Sequence, residues 1–428
     1  MACRQCGTDA APGAWACPAC GRRLRPWLAE VRTVMREVLA GATATARGLR
    51  AGLLAAIGSA IVLPGLVTLA LLALTVPSTA GLAVSALAAA MPVPLYTSVI
   101  LWLDRHEREP SWLLATAFVW GAVVASALAG VVNTALEILL LIRLGPEWAM
   151  LLAAPVVAPL VEESAKGAAL LLIAWRLRHE FDNAVDGIVY GGLVGLGFAM
   201  TENILYFGHA YLAGGLPSMG LLFLVRVVAV GFAHSMFTGM AGAGLGLARE
   251  RPPGGGRWVL AVGGYLVGVG LHALWNLVAM LGTIQGHPIR AVAVDIVALL
   301  LPGVWTLLGV LYFGWRRERR VIAEHLADEI ASGVVLAEEL AILTGPRARS
   351  RTLWRTLQTK GPLAWYARRQ LYDLEIQLAF RNWHVARGEQ APASLGVWTP
   401  AQYRTRIAAV RRQIATEGPA LPLGPSAA

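Results

Sequence analysis

Two adjacent carboxylates and a lysine stand inside an apolar run in Leu160–Leu172, "LVEESAKGAALLL". Glu162 and Glu163 precede Lys166 by four and three residues, so a helix would place acid and counter-ion on one face. A neutralised structural pair accounts for one carboxylate, and here there are two. Three further apolar runs carry polar groups: Glu202 and Asn203 in "GLGFAMTENILYFGHAY", His234 in "VGFAHSMFTGMAGAG", and His272 with Asn276 in "GLHALWNLVAM". Ionisable groups in hydrocarbon are costly, so each marks a functional site by default and needs a partner.

Carboxylates and imidazoles can activate water as general bases, or hold a zinc ion whose bound water becomes nucleophilic near neutral pH. An amide such as Asn276 can donate to the oxyanion of a tetrahedral intermediate. Hydrolysis of a peptide bond inside a membrane fits these parts. No GxSxG or HExxH motif occurs and no cysteine lies in the apolar runs, which leaves a carboxylate or metal mechanism among proteolytic ones.

The elements that must position these groups are membrane helices. The chain of 428 residues is 57% hydrophobic and 14% charged, against about 25% charged in soluble domains. Runs of about 20 apolar residues, enough to cross a bilayer, occur near 51–76, 81–103, 112–142, 149–175, 187–212, 219–247, 258–284 and 291–315. The expected fold is all-α, a polytopic bundle of about eight spans. Pro155, Pro159 and Glu137 interrupt the third and fourth runs. At about 1.5 Å per residue, Glu162, Glu202, His234 and His272 all lie roughly 20 to 25 Å from one end of their spans. That common mid-membrane level is what a single site requires.

Arginine-rich flanks set the orientation, because cytoplasmic loops carry the Lys/Arg excess. Arg22 to Arg50, the second, fourth and sixth loops, and Arg316 to Arg320 hold most of the arginines outside the tail. An even number of spans with both termini cytoplasmic is expected, in the cell membrane and with no cleavable signal peptide. The net charge of +10 then belongs to attraction for anionic lipid, and nucleic acid is not an expected partner.

Residues 1–24 hold the four cysteines, Cys3, Cys6, Cys17 and Cys20, as two CxxC pairs. Two such knuckles predict a structural zinc ribbon whose thiolates fill the metal's coordination sphere. A basic linker follows over 25–50. The transmembrane domain covers 51–315, and 316–428 reads as a cytoplasmic helical tail, with acidic and basic helices and a polar end. Ribbon or tail could bind a cytoplasmic protein.

Over about residues 145–285 the sequence closely resembles the PrsW family of intramembrane proteases. The resemblance rests on EExxK in "EESAK", on "FDNAVDGIVYGGLVGLGFAMTENILYF" with its FxxxE element from Phe198 to Glu202, on His234, and on HxxxN from His272 to Asn276. It implies kinship with CAAX prenyl endopeptidases and a helical core whose polar motifs face a membrane cavity. It implies that Glu162, Glu163, Lys166, Glu202, His234, His272 and Asn276 form the catalytic centre, with Glu162 or Glu163 activating water and His272 and Asn276 serving the oxyanion. A second zinc on Glu163, Glu202, His234 and His272 belongs to the same expectation. The substrate class implied is a single-span membrane protein, an anti-sigma factor or another regulator. The ribbon and tail depart from the simplest family members. Two other readings compete: a catalytically silent scaffold or immunity protein, and a proton-coupled transporter, although no repeated halves are seen. Lys166, Asn183 and Asp186 read as supporting residues, Asp186 as a helix cap.

Overall fold

A computed structural model describes residues 62–104, 109–251, 254–389 and 398–416. The two CxxC pairs and the basic linker lie outside the described residues. All regular structure among the described residues is helical. In chain order the membrane part comprises α1 (Val62–Thr75), α2 (Thr79–Ala90), α3 (Val93–Leu103), α4 (Ser111–Val119), α5 (Ser126–Leu144), α6 (Pro146–Leu152), α7 (Ala158–Arg176), α8 (Ala184–Phe223), α9 (Ala233–Glu250), α10 (Gly256–Ile284), α11 (Pro288–Val294) and α12 (Leu301–His325).

Five helical stretches are long and apolar enough to cross a membrane: Thr79–Leu103, Ser111–Leu144, Ala184–Glu250, Gly256–Ile284 and Pro288–Ala331. These are the stretches found among the described residues, and they do not confirm the expected count of eight. Ala184–Glu250 runs for 67 residues, and as one straight helix it would be about 100 Å long, three times the ~30 Å hydrocarbon core. It breaks at Gly214–Gly215, where Gly215 takes a φ of 65°, and again at residues 230–232. Two expected runs are thus joined in it. The run near 149–175, which holds Glu162, Glu163 and Lys166, is not among the five, and the run near 51–76 is described only from Val62 onward, as α1. Large apolar side chains such as Leu74, Ile142, Val259 and Trp305 are exposed, as lipid-facing helices require.

The central helix is α8, which packs on α2, α3, α4, α5, α7 and α9. Its start is fixed by a capping box, in which Asn183 Oδ1 accepts from the Val185 amide and Asp186 Oδ2 accepts from the Asn183 amide. Glycines bring α8 unusually close to α9. A Cβ on Gly187 would lie 2.0 Å from the Gly242 carbonyl oxygen, and one on Gly195 would lie 2.4 Å from that of His234. Small residues permit such backbone contact in lipid, where packing replaces the hydrophobic drive. Gly195 therefore sets how deeply His234 sits.

Four π-helical turns interrupt the bundle, at 120–125, 153–157, 224–229 and 295–300. A π turn displaces the regular i→i−4 ladder and offers carbonyls to side chains. In the first, Ala122 O accepts from Thr201 Oγ1 at 2.6 Å and Val123 O from Thr68 Oγ1 at 3.1 Å. In the second, Ala154 O accepts from Asn276 Nδ2 at 2.8 Å.

The chain divides into two compact units with their boundary between Arg317 and Glu318. The second contains α13 (Ala327–Ala331), α14 (Leu340–Leu343), α15 (Pro346–Ala386) and α16 (Pro400–Thr416). Its own core includes Ile322, Leu326, Leu343, Tyr372, Leu378, Phe380 and Ile407. Arg411 on α16 joins two buried carboxylates there, donating to Glu375 Oε1 at 2.6 Å and to Glu339.

Candidate functional site

The polar groups of α7, α8, α9 and α10 meet at one place. Glu163 is 1% exposed and Lys166 fully buried. Lys166 Nζ donates to Glu163 Oε1 at 2.7 Å and lies 3.5 Å from Glu162 Oε2, and the i,i+3 and i,i+4 spacing on α7 produces this fork. Phe198 of α8 covers the ammonium, its ring centre 3.8 Å away.

Each imidazole is backed by a carboxylate. His234 Nε2 donates to Glu202 Oε2 at 2.8 Å, and its Nδ1 accepts from Lys166 Nζ at 3.3 Å. His272 Nδ1 donates to Glu163 Oε1 at 3.0 Å, which turns its Nε2 toward Glu162 Oε2, 3.8 Å distant. The rings of His234 and His272 stand perpendicular with centroids 5.1 Å apart, and Phe237 stacks on His272 at 4.8 Å.

Three residues at the site escape the motif reading. Thr238, fully buried, donates to Glu163 Oε2 at 2.9 Å; its position four residues after His234 was the available signal. Arg226 donates to Glu202 through Nη2 and to Asn203 Oδ1 at 2.7 Å through Nε, and its guanidinium lies 3.8 Å from the Tyr206 ring centre. A lone arginine within an apolar run was its signal. Asn133 of α5 approaches Glu162 Oε1 at 3.4 Å.

The carboxylates thus differ in commitment. Glu163 accepts from Lys166, His272 and Thr238, and Glu202 from Arg226 and His234. Glu162 has only long contacts, and it lines a cavity of about 210 Å³. Asn276 is absent from the cluster, because its amide is spent on Ala154 O. Asn183 and Asp186 cap α8.

Glu162, His234 and His272 each offer an atom within 4.8 Å of the others and could hold a metal ion. Glu163 and Glu202, expected as ligands, stand behind the histidines instead. Two imidazoles and a carboxylate, with carboxylates behind the imidazoles, is a common zinc arrangement, and an ion here would take His234 Nδ1 from Lys166, which donates to it at 3.3 Å. Charge agrees with this, because three carboxylates face only Lys166 and Arg226.

Apolar helices around a Glu/His centre define the class, an integral membrane protein with a polar site enclosed between its spans. Residues 109–304 match the family described as PrsW family intramembrane metalloprotease. A curated relative, Protease PrsW of Bacillus subtilis (strain 168), is 45% identical over 62 residues, which cover 13% of this chain and 28% of the relative. The chain therefore matches under a third of that relative's length. No solved structure matches.

Proposed function

We propose that this protein is an intramembrane protease of the PrsW type, hydrolysing a peptide bond of a membrane protein with Glu162 as the general base. The observation that carries the reading is the unequal commitment of the carboxylates. Glu163 and Glu202 are fixed by hydrogen bonds, whereas Glu162 faces the cavity with its oxygens 3.4 Å or more from Asn133, Lys166 and His272.

In the reaction, Glu162 takes a proton from water as the water oxygen bonds to the scissile carbonyl carbon. The negative charge that develops on the carbonyl oxygen is stabilised by the field of the nearby Lys166 ammonium, whose donors stay on Glu162, Glu163 and His234 and whose attraction is strengthened by the water-poor surroundings. Collapse breaks the C–N bond, and the proton held on Glu162 passes to the leaving amine. A zinc ion, were it bound, would be held by His234 and His272, fixed by Glu202 and Glu163, together with Glu162, and would then activate the water in place of Glu162 as base. Such an ion supplies Lewis acidity and lowers the pKa of bound water.

The substrate class that suits a site between apolar helices is a single-span membrane protein, an anti-sigma factor or other regulator. We place the protein in the cell membrane with both termini in the cytoplasm, on the arginine distribution. The four cysteines would hold a structural zinc, and the ribbon or the tail would carry a cytoplasmic partner. The test compares cells lacking the gene that express either wild type or Glu162→Gln, with membrane-protein N-termini determined by mass spectrometry. New termini with wild type alone support the reading; the same termini with both proteins overturn it.

A further inference from the structure

The cavity that reaches Glu162 and Glu202 is built from four helices: Thr68, Leu71 and Leu72 of α1, Ser126, Ala129, Gly130 and Asn133 of α5, Glu162 of α7, and Phe198, Thr201, Glu202 and Tyr206 of α8. Its volume of about 210 Å³ falls below the ~300–1,000 Å³ of clefts that take small organic ligands. The α5 wall is made of small residues, and α1 closes over it. A Cβ placed on Gly130 would lie 2.8 Å from Leu71 Cδ1, so any larger side chain at 130 meets α1.

One group in this wall lacks what it needs. Asn133 Oδ1 is buried and has no hydrogen-bond partner among the described residues, while the Nδ2 of the same amide is turned to Glu162. An unmet buried acceptor is unfavourable, and a donor supplied by a bound molecule would remove that cost. The hydroxyls of Thr68 and Thr201 already donate to α4–α5 backbone carbonyls. The free capacity of the wall is therefore an acceptor, which suits a peptide N–H.

The outer side of α1 is apolar and exposed at Leu63, Leu66, Leu69 and Leu74, and a hydrogen bond from Thr68 to Val123 O ties it to the bundle. It thus stands between the cavity and an apolar outer surface. Within a helix the peptide N–H and carbonyl are already paired with each other, so a helical segment could neither donate to Asn133 nor expose its carbonyl to Glu162.

We propose that this cavity binds the scissile segment of a membrane-spanning substrate in extended form. Small side chains, Gly, Ala or Ser, flank the bond, a backbone N–H donates to Asn133 Oδ1, and the segment arrives from lipid past α1. The proposal rests on the protease reading and specifies its substrate class. Gly130 and Ala129 are its specificity-determining residues, and Asn133 is its anchor.

The test uses the purified full chain in lipid vesicles with two synthetic single-span peptides that differ only at their centre, Ala–Ala in one and Leu–Leu in the other. The Ala–Ala peptide should be cut about tenfold or more faster, the scale on which added methylenes are discriminated by a tight pocket. Gly130→Leu should remove most of that cleavage. A second readout is independent of turnover: in Glu162→Gln protein, a photo-crosslinker at the centre of the Ala–Ala peptide should label α1 and α5 around Leu71 and Ala129. Equal cutting of both peptides, or labelling elsewhere, overturns the proposal and leaves the protease reading standing. Labelling at the cavity with no cutting by wild type preserves the binding site and overturns the protease reading. Neither labelling nor cutting overturns both.

Discussion

Glu163 and His272 stand 109 residues apart in sequence, and their side chains meet at 3.0 Å between Oε1 and Nδ1. The contact fixes the imidazole tautomer and turns Nε2 toward Glu162. In the proposed reaction Glu163 is therefore a positioning residue and Glu162 the group free to act, a division of roles that the adjacency of the two glutamates does not reveal.

The position of Glu163 depends on Thr238, whose hydroxyl donates to Oε2 at 2.9 Å. Thr238→Val should keep the fold and lower activity and metal affinity by about 10- to 100-fold, the usual cost of losing a group that orients a ligand's partner. Thr238→Ser should restore most of it. Equal activity in wild type and Thr238→Val, measured on purified proteins of matched helicity, would remove Thr238 from the account.

Arg226 grips two neighbours at once, Glu202 through Nη2 and Asn203 through Nε. An ammonium cannot reproduce that planar fork, so Arg226→Lys should weaken the His234–Glu202 arrangement and reduce activity about 10-fold or more. A variant that retains full activity and full metal affinity would show that charge alone suffices.

Much of the site was legible because buried charge has few tolerated uses. The recurrence of Glu162, Glu202, His234 and His272 at one depth predicted their meeting. What was not legible depends on which oxygen or nitrogen faces which neighbour. Asn276 shares a helix turn with His272, yet the π turn at 153–157 offers it a carbonyl and takes it out of the cluster. Arg226 lies inside the apolar run near 219–247, where a single arginine does not reveal which carboxylate it meets. The runs near 187–212 and 219–247 form one helical stretch across the Gly214–Gly215 break, a join that hydropathy alone does not reveal.

In the second unit, Arg411 lies between Glu339 and the fully buried Glu375. Arg411→Met should cost about 3–5 kcal/mol, because it leaves buried carboxylates uncompensated. Adding Glu375→Gln should recover part of the loss. Burial and the neighbouring Glu339 charge already hold the Glu375 carboxyl well above the ordinary range. The folded chain then binds this proton more tightly than the unfolded one, so its contribution to stability falls as pH rises from the ordinary glutamate range toward the raised value. Thermal unfolding of the full chain across pH reads both effects, and an unchanged midpoint in Arg411→Met would contradict them.

Zinc content tests the two proposed metal sites, the cysteine ribbon and the Glu/His centre. Purified wild type should hold about two zinc ions and the chain lacking Cys3, Cys6, Cys17 and Cys20 about one, as four thiolates and a Glu/His centre each bind one ion. Adding His272→Ala to the cysteine-free chain should bring the content near zero. A cysteine-free chain that already holds none would leave water activation to Glu162 alone.

The central claim is that Glu162 activates water for peptide hydrolysis, and the most direct measurement follows the oxygen. Purified wild type and Glu162→Gln are incubated in ¹⁸O-water with membranes from cells lacking the gene, and new peptide C-termini are identified by mass spectrometry. The account predicts membrane-protein C-termini carrying ¹⁸O with wild type, and a loss of about 10²- to 10⁴-fold with Glu162→Gln, the range for removing a general base. Labelled termini of equal abundance with both proteins would contradict it.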